Sequence, residues 1–173
     1  MTETTFAAAV YTCDLTDREA LSVFAAELRT AGVRVGWLVQ DVVRGDDGKM
    51  RHIDMVELDS GRRIAINRPT RESLENKICS LNTSALTEST EALRRAIQEG
   101  VDLIVLEKFG GQEQKGQGLN DEIFATIAEE IPLLIAVPTF ALELWQERNG
   151  ALGDTLPYDL DACRHWWARV QYG

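Results

Sequence analysis

Glu107, Lys108, Glu113 and Lys115 stand within nine residues of one another, interleaved with Gly110, Gly111, Gly116 and Gly118. Two cations, two carboxylates and four glycines in one polar stretch make a loop that can approach an anion or a metal-bound anion. Glycine lets backbone amides come close to a ligand, and an ammonium holds an oxyanion as a point charge. Lys108, Gly110, Gly111, Glu113, Gly116 and Gly118 are therefore the first candidate ligand-binding residues. Each has a plainer reading. Lys108 suits a solvated loop lysine paired with Glu113, Glu113 suits a cap on the helix that follows, and the glycines suit turns of positive φ. A second group, Thr12-Cys13-Asp14-Leu15-Thr16-Asp17, holds a thiol, two carboxylates and two hydroxyls at a helix start. Cys13, Asp14 and Thr16 join the candidates, and Asp14 with Glu107 is a candidate metal pair. Cys79 reads as a small buried hydrophobe, and His52 and His165 have no partner at ligand spacing. No Gly-x-x-x-x-Gly-Lys-[Ser/Thr] occurs anywhere, so the usual triphosphate cradle is absent.

The elements that must carry these residues follow from periodicity. Phe6 to Tyr11 is an apolar run that predicts a first strand, followed by the turn that contains Cys13 and Asp14. Thr16 or Asp17 is the expected N-cap of a helix over 18–31, which Gly32 stops. Val33 to Val39 is a second strand, completing a strand-helix-strand unit of the kind that builds parallel sheets. Strands over 53–58 and 62–66 flank Asp59-Ser60-Gly61 as a hairpin at one edge. Segment 67–83 is polar and aperiodic. A helix over 84–99, a strand over 101–106, the glycine loop, a helix over 119–130, a strand over 132–137 and a helix over 140–148 come next. Residues 152–157 read as loop, and 159–170 as a last helix whose Trp166 and Trp167 clamp onto a core. A buried strand running into a polar loop and then a helix is where open α/β proteins put their chemistry.

The length of 173 residues suits a single domain over 1–173, α/β in class: a three-layer open sheet, mostly parallel, with an antiparallel hairpin at one edge. The formal net charge of −10 opposes non-specific binding to nucleic acid or to an anionic membrane. Cys13, Cys79 and Cys163 are far apart and odd in number, which suits reduced thiols. No apolar run approaches the ~20 residues of a membrane helix. The Met1-Thr2-Glu3 start lacks the basic region of a secretory signal, so a cytoplasmic location is expected.

The element order and the loop together resemble the nucleoside-triphosphatase-like proteins of bacteria and, within them, a domain family of unknown function. Its members are often encoded beside molybdate-transport genes. The similarity runs from about Phe6 to Trp167. Its most specific part is Lys108-Phe109-Gly110, Glu113, Gly116 and Gly118, against a pattern close to N-K-F-G-x-x-E-x-x-G-x-G. Val35-Gly36-Trp37-Leu38-Val39-Gln40, Asp54-Met55, Cys79-Ser80-Leu81-Asn82 and the Trp145-bearing helix after the Pro132 strand support it. Glu107 departs from the family's usual Asn, Ile53 from a Cys, and Ser80 and Asn82 from an Arg and an Asp.

The resemblance implies a P-loop-NTPase-like fold with degenerate Walker motifs. Where active relatives have D-E-x-G, with the Asp serving Mg²⁺ and the Glu preparing a water, this chain reads Glu107-Lys108-Phe109-Gly110. A base has become a cation, which holds phosphate but takes no proton from water. Asp14 and Asp17 in the first turn repel phosphate where the cradle should be. Three functions are expected in order. The first is non-catalytic binding of a small oxyanion or nucleotide phosphate, accessory to molybdate uptake. The second is weak Mg²⁺-dependent triphosphatase activity, with Glu107 or Asp14 on the metal and Glu113 positioning water. The third is an interaction scaffold, homo-oligomeric or transporter-associated.

Overall fold

The computed structural model describes residues 4–12, 14–15, 19–48, 50–57, 62–67, 83–107, 109, 111–116 and 119–173. The elements in chain order are β1 (Phe6–Tyr11), α1 (Ala20–Thr30), β2 (Val35–Arg44), β3 (Met50–Glu57), β4 (Arg62–Asn67), α2 (Thr83–Glu99) and β5 (Leu103–Leu106). Then come the short helix α3 (Gly111–Gln114), α4 (Asn120–Ala128), β6 (Leu133–Pro138), a 3-10 turn (Thr139–Ala141) leading into α5 (Leu142–Asn149), β7 (Asp154–Pro157) and α6 (Leu160–Tyr172).

One seven-stranded sheet runs in the order β4-β3-β2-β5-β6-β1-β7. The five strands from β2 to β7 are parallel, and β3 and β4 extend the sheet antiparallel beyond β2. The expected α/β class, open sheet and edge hairpin are all present. Strand alternation sorts the core into two faces. Ala7, Ala9 and Tyr11 of β1, Leu103 and Val105 of β5, and Leu134 and Ala136 of β6 meet Leu21, Phe24 and Ala25 of α1 and Cys163, Trp166 and Trp167 of α6. Phe6 and Ala8, Ile104 and Leu106, and Leu133, Ile135 and Val137 meet Leu93 of α2, Ile123 of α4 and Trp145 of α5. Helices therefore cover both faces. The expected clamp of Trp166 and Trp167 is real: the two are 1% and 7% exposed, and Asp159 caps their helix by accepting from the Ala162 N–H at 3.0 Å.

Four details differ from the sequence reading. The second strand continues to Arg44, five residues past Val39, because Leu38 to Arg44 pair with Met50 to Glu57 in a further hairpin around the Gly45–Gly48 turn. Residues 154–157 are a strand, not loop, since their backbone pairs in parallel with Ala7 to Val10. Gly153 just before it lies where a Cβ would stand 2.3 Å from the Phe6 ring, so only glycine lets β7 come this close. Residues 111–114, inside the expected loop, form a helical turn. Finally, Glu19 occupies the N-cap of α1 and makes no side-chain cap, in place of Thr16 or Asp17. Thr16, Asp17, Asp59-Ser60-Gly61 and Cys79 lie outside the described residues, as does nearly all of segment 67–83.

Candidate functional site

β1 feeds α1 on one face of the sheet and β6 feeds α5 on the other, and these two strands are neighbours. The crevice outside their carboxyl ends is the topological switch point, where open α/β sheets bind ligands because the two connections diverge and leave a cleft. The turn of Thr12, Asp14 and Leu15 borders it from β1, and Thr139-Phe140 from β6. Glu107 ends β5, on the other side of β6, and Tyr158 ends β7, on the other side of β1.

These strand ends are tied together. The Thr139 hydroxyl donates to the Tyr11 carbonyl at 2.9 Å, fixing the β6 turn to β1. The Tyr158 N–H donates to the Val10 carbonyl at 3.1 Å, and its hydroxyl reaches Glu107 Oε2 at 3.4 Å. The Tyr11 and Tyr158 rings meet edge to face at 5.8 Å, a favoured aromatic geometry. Asp14 is exposed, and the Thr12 hydroxyl, followed by its own backbone N–H, holds its carboxyl below the usual range. Among the described residues no three acidic, cysteine or histidine side chains converge on one point. Asp14 follows β1 and Glu107 follows β5, with one strand, β6, between them in the sheet.

The glycine loop is held from inside. Phe109 is fully buried, donates its N–H to the Ala136 carbonyl at 2.7 Å, and stacks edge to face on Trp145 at 5.4 Å. Gln114 Nε2 donates back to the Phe109 carbonyl at 3.0 Å. Gly116 has φ +77° and donates its N–H to the Glu113 carbonyl at 3.0 Å. The Glu113 carboxylate is buried and accepts from the N–H of Leu119, the N-cap residue of α4, at 3.2 Å. Of the two readings of Glu113, the capping one describes its contact. The described amides of Phe109, Gly116 and Leu119 are therefore all spent on protein acceptors, the first on the Ala136 carbonyl of β6 and the other two on Glu113. Gly111 opens α3, while Lys108, Gly110, Gly118, Cys13 and Thr16 lie outside the described residues.

Arg148 and Tyr158 organise this edge and carry no sequence signal of doing so. Arg148 Nη1 donates to the Glu113 carbonyl and, at 3.2 Å, to Asn120 Oδ1, and its Nη2 donates to the Gln114 carbonyl. A basic residue in the last turn of a helix is ordinary, and nothing local announces a contact 35 positions away. At the opposite, amino edge a cavity of about 310 Å³ is lined by Arg29, Arg34, Glu99 and valines. Arg34 is committed there, donating to the Glu99 and Gly100 carbonyls and pairing with Asp102 at 3.6 Å.

The crystal structure of THEP1 from the hyperthermophile Aquifex aeolicus matches with a TM-score of 0.65 over 90% of this chain and 91% of that one, at 11% identity. The likeness shows the fold, an open α/β sheet shared by the two chains. The molybdenum import ATP-binding protein ModC 2 of Bradyrhizobium diazoefficiens is 36% identical over 147 residues, which is 85% of this chain. The match spans only 16% of that relative's length. The family model described as protein of unknown function DUF2478 matches residues 6–166, and the chain belongs to that family.

Proposed function

We propose that this protein binds a small phosphorylated or oxyanionic ligand at the β1–β6 switch point without hydrolysing it, in a role accessory to molybdenum uptake. The observation that carries the reading is the employment of the two loop carboxylates. A hydrolase needs one carboxylate for Mg²⁺ and one for water. Here Glu107 accepts from Tyr158, and Glu113 accepts from the Leu119 N–H deep in the loop. Glu107 is followed by Lys108 in the sequence, so the position expected to hold a base holds a cation, which attracts phosphate and does not activate water. The turn after β1 has neither the glycines nor the lysine of a triphosphate cradle, which removes a main source of transition-state charge stabilisation. The molybdenum link rests on the ModC 2 relative, in which a segment 36% identical to this chain is part of a much longer polypeptide. A single cytoplasmic domain fits this role, and among the described residues no helix is long and apolar enough to cross a membrane.

Calorimetry and thermal denaturation with ATP, GTP, molybdate, tungstate and phosphate test the proposal. A ligand at a hundredfold excess over its Kd should raise stability by about 2.7 kcal/mol. Lys108→Ala should weaken binding, and no phosphate should be released from ATP or GTP. Absence of heat and of any thermal shift at millimolar concentration of all five ligands would end the binding reading. Phosphate release that Glu113→Gln abolishes would replace it with the triphosphatase reading.

A further inference from the structure

We propose that the ligand carries a planar heteroaromatic ring as well as its anionic group, a nucleoside phosphate rather than a bare oxyanion, and that the ring stacks on Phe140. This inference rests on the binding reading above and narrows its ligand class.

Phe140 is 68% exposed, a large aromatic face left in water at the switch point itself. It is not a side chain awaiting a place in the core. Ala141 beside it is 2% exposed, and Trp145 one turn further fills the space below with Phe6, Phe109 and Phe124 around it. The backbone under Phe140 is fixed as well. Pro138 is extended at φ −66°, ψ 145°, and Thr139 is pinned to the Tyr11 carbonyl at 2.9 Å. A ring presented on a rigid turn loses little entropy when it meets a ligand.

The facing turn repeats the pattern. Leu15, in the turn after β1, is 37% exposed. The other large apolar side chains exposed among the described residues lie elsewhere: Val23 along α1, Leu152 before the amino end of β7, and Tyr172 in the last turn of α6. Single exposed hydrophobes are common on any surface. Here two of them stand on the two turns that border one crevice. A tetrahedral oxyanion has no use for them, whereas a base has a flat apolar face.

Charge points the same way. The net charge is −10, and Asp14 and Glu107 stand at this edge. Any anionic group meets a repulsive field there, a nucleotide's phosphates included, so affinity must come from something besides charge. Stacking adds affinity that does not depend on charge and is not screened by salt.

The test compares ATP and GTP with inorganic tripolyphosphate, which has the same phosphate chain and no ring, on wild type, Phe140→Ala, Phe140→Tyr and Leu152→Ala. Removing a stacking side chain costs roughly fivefold to a hundredfold in affinity for a base. Nucleotides should therefore bind about tenfold or more tighter than tripolyphosphate. Phe140→Ala should abolish that preference without changing tripolyphosphate affinity. Phe140→Tyr should keep the preference, and Leu152→Ala, which removes an equally exposed side chain elsewhere, should leave it intact. Tripolyphosphate binding as tightly as ATP overturns the inference while sparing the binding reading. So does a nucleotide preference that survives in Phe140→Ala. If neither nucleotide nor tripolyphosphate binds, the inference falls, and the binding reading is decided by its own test with molybdate, tungstate and phosphate. Circular dichroism and thermal melts of the variants confirm that each is folded, as expected for changes at exposed positions.

Discussion

The guanidinium of Arg148 lies over the face of Phe109, 5.7 Å from the ring centre. The same side chain reaches past the ring to the carbonyls of Glu113 and Gln114 at the end of α3. One planar group thus closes the glycine loop from three sides, as a cation on a ring, a fork on two carbonyls and a partner of Asn120. Arg148 comes from α5, which follows the Thr139-Phe140 turn, so the loop after β5 and the turn after β6 are held by one helix.

Arg148→Met should therefore cost about 2–3 kcal/mol in urea unfolding, from hydrogen bonds of a charged donor and a cation–π contact. Amide exchange over 109–119 should accelerate more than over β1 or α6. Arg148→Lys should recover only part of the loss, because an ammonium cannot fork across two carbonyls. Full recovery by lysine would show that charge alone matters and that the fork does not.

Gly153→Ala should destabilise through overpacking. An added Cβ would stand 2.3 Å from Phe6 Cε2 and 2.5 Å from Cδ2, far inside contact distance, and the Phe6 ring is 5% exposed with Trp145 6.3 Å away. The ring or β7 must move, at about 1–3 kcal/mol. Phe6→Leu should relieve much of the cost in the double variant. An unchanged thermal midpoint in Gly153→Ala would mean that β7 is not held against β1 as described.

Most of the fold was legible because its signal is local. The apolar runs 6–11, 103–106 and 133–138 alternate between two covered faces; the first two stop at polar Thr12 and Glu107 and the third in Pro138. β7 was not legible, since Asp154-Thr155-Leu156-Pro157 has no apolar run and is a strand only because β1 offers it an open edge. The extension of β2 to Arg44 hid for the same reason: Gln40-Asp41 looks like the end of a strand, and partner pairing overrides it. In the candidate site, the loop's position and the capping role open to Glu113 were readable from glycine spacing and helix onset. Arg148 and Tyr158 were not, because each acts on residues 28 or more positions away. The lesson of Phe109 is similar. Within a polar, glycine-rich segment it reads as loop, yet it is the fully buried anchor on which the loop is built.

Cys163 should make stability fall with pH in the alkaline range. Burial, reinforced by the negative charges of Asp159 and Glu107, pushes its thiol up from 9.0 to about 12. Between these values the unfolded chain releases the proton and the folded one keeps it, so the unfolded state gains. Folding is unaffected well below pH 9.0 and is progressively weakened as pH rises from there toward about 12. The slope approaches about 1.4 kcal/mol per pH unit at most. Urea midpoints of wild type and Cys163→Ala, measured from pH 8 to pH 10.5, isolate this thiol because Cys13 and Cys79 are common to both. The wild type should lose stability more steeply. Parallel curves would show that Cys163 is as free to ionise in the folded protein as in the unfolded one.

Glu113 separates structure from chemistry most cleanly. Its carboxylate oxygen accepts the Leu119 N–H at 3.2 Å, so the side chain terminates the loop and starts α4. Glutamine keeps a carbonyl oxygen at the same reach. Glu113→Gln should unfold within about 1 kcal/mol of wild type, while Glu113→Ala leaves a buried N–H without its partner and should cost about 1–3 kcal/mol. In the binding reading, Glu113→Gln also retains ligand affinity. In a hydrolase the same substitution would spare stability and remove turnover, because an amide takes no proton from water. The two measurements on one variant, an unfolding curve and a phosphate-release assay with ATP, decide between a carboxylate that holds the backbone and one that works on a substrate.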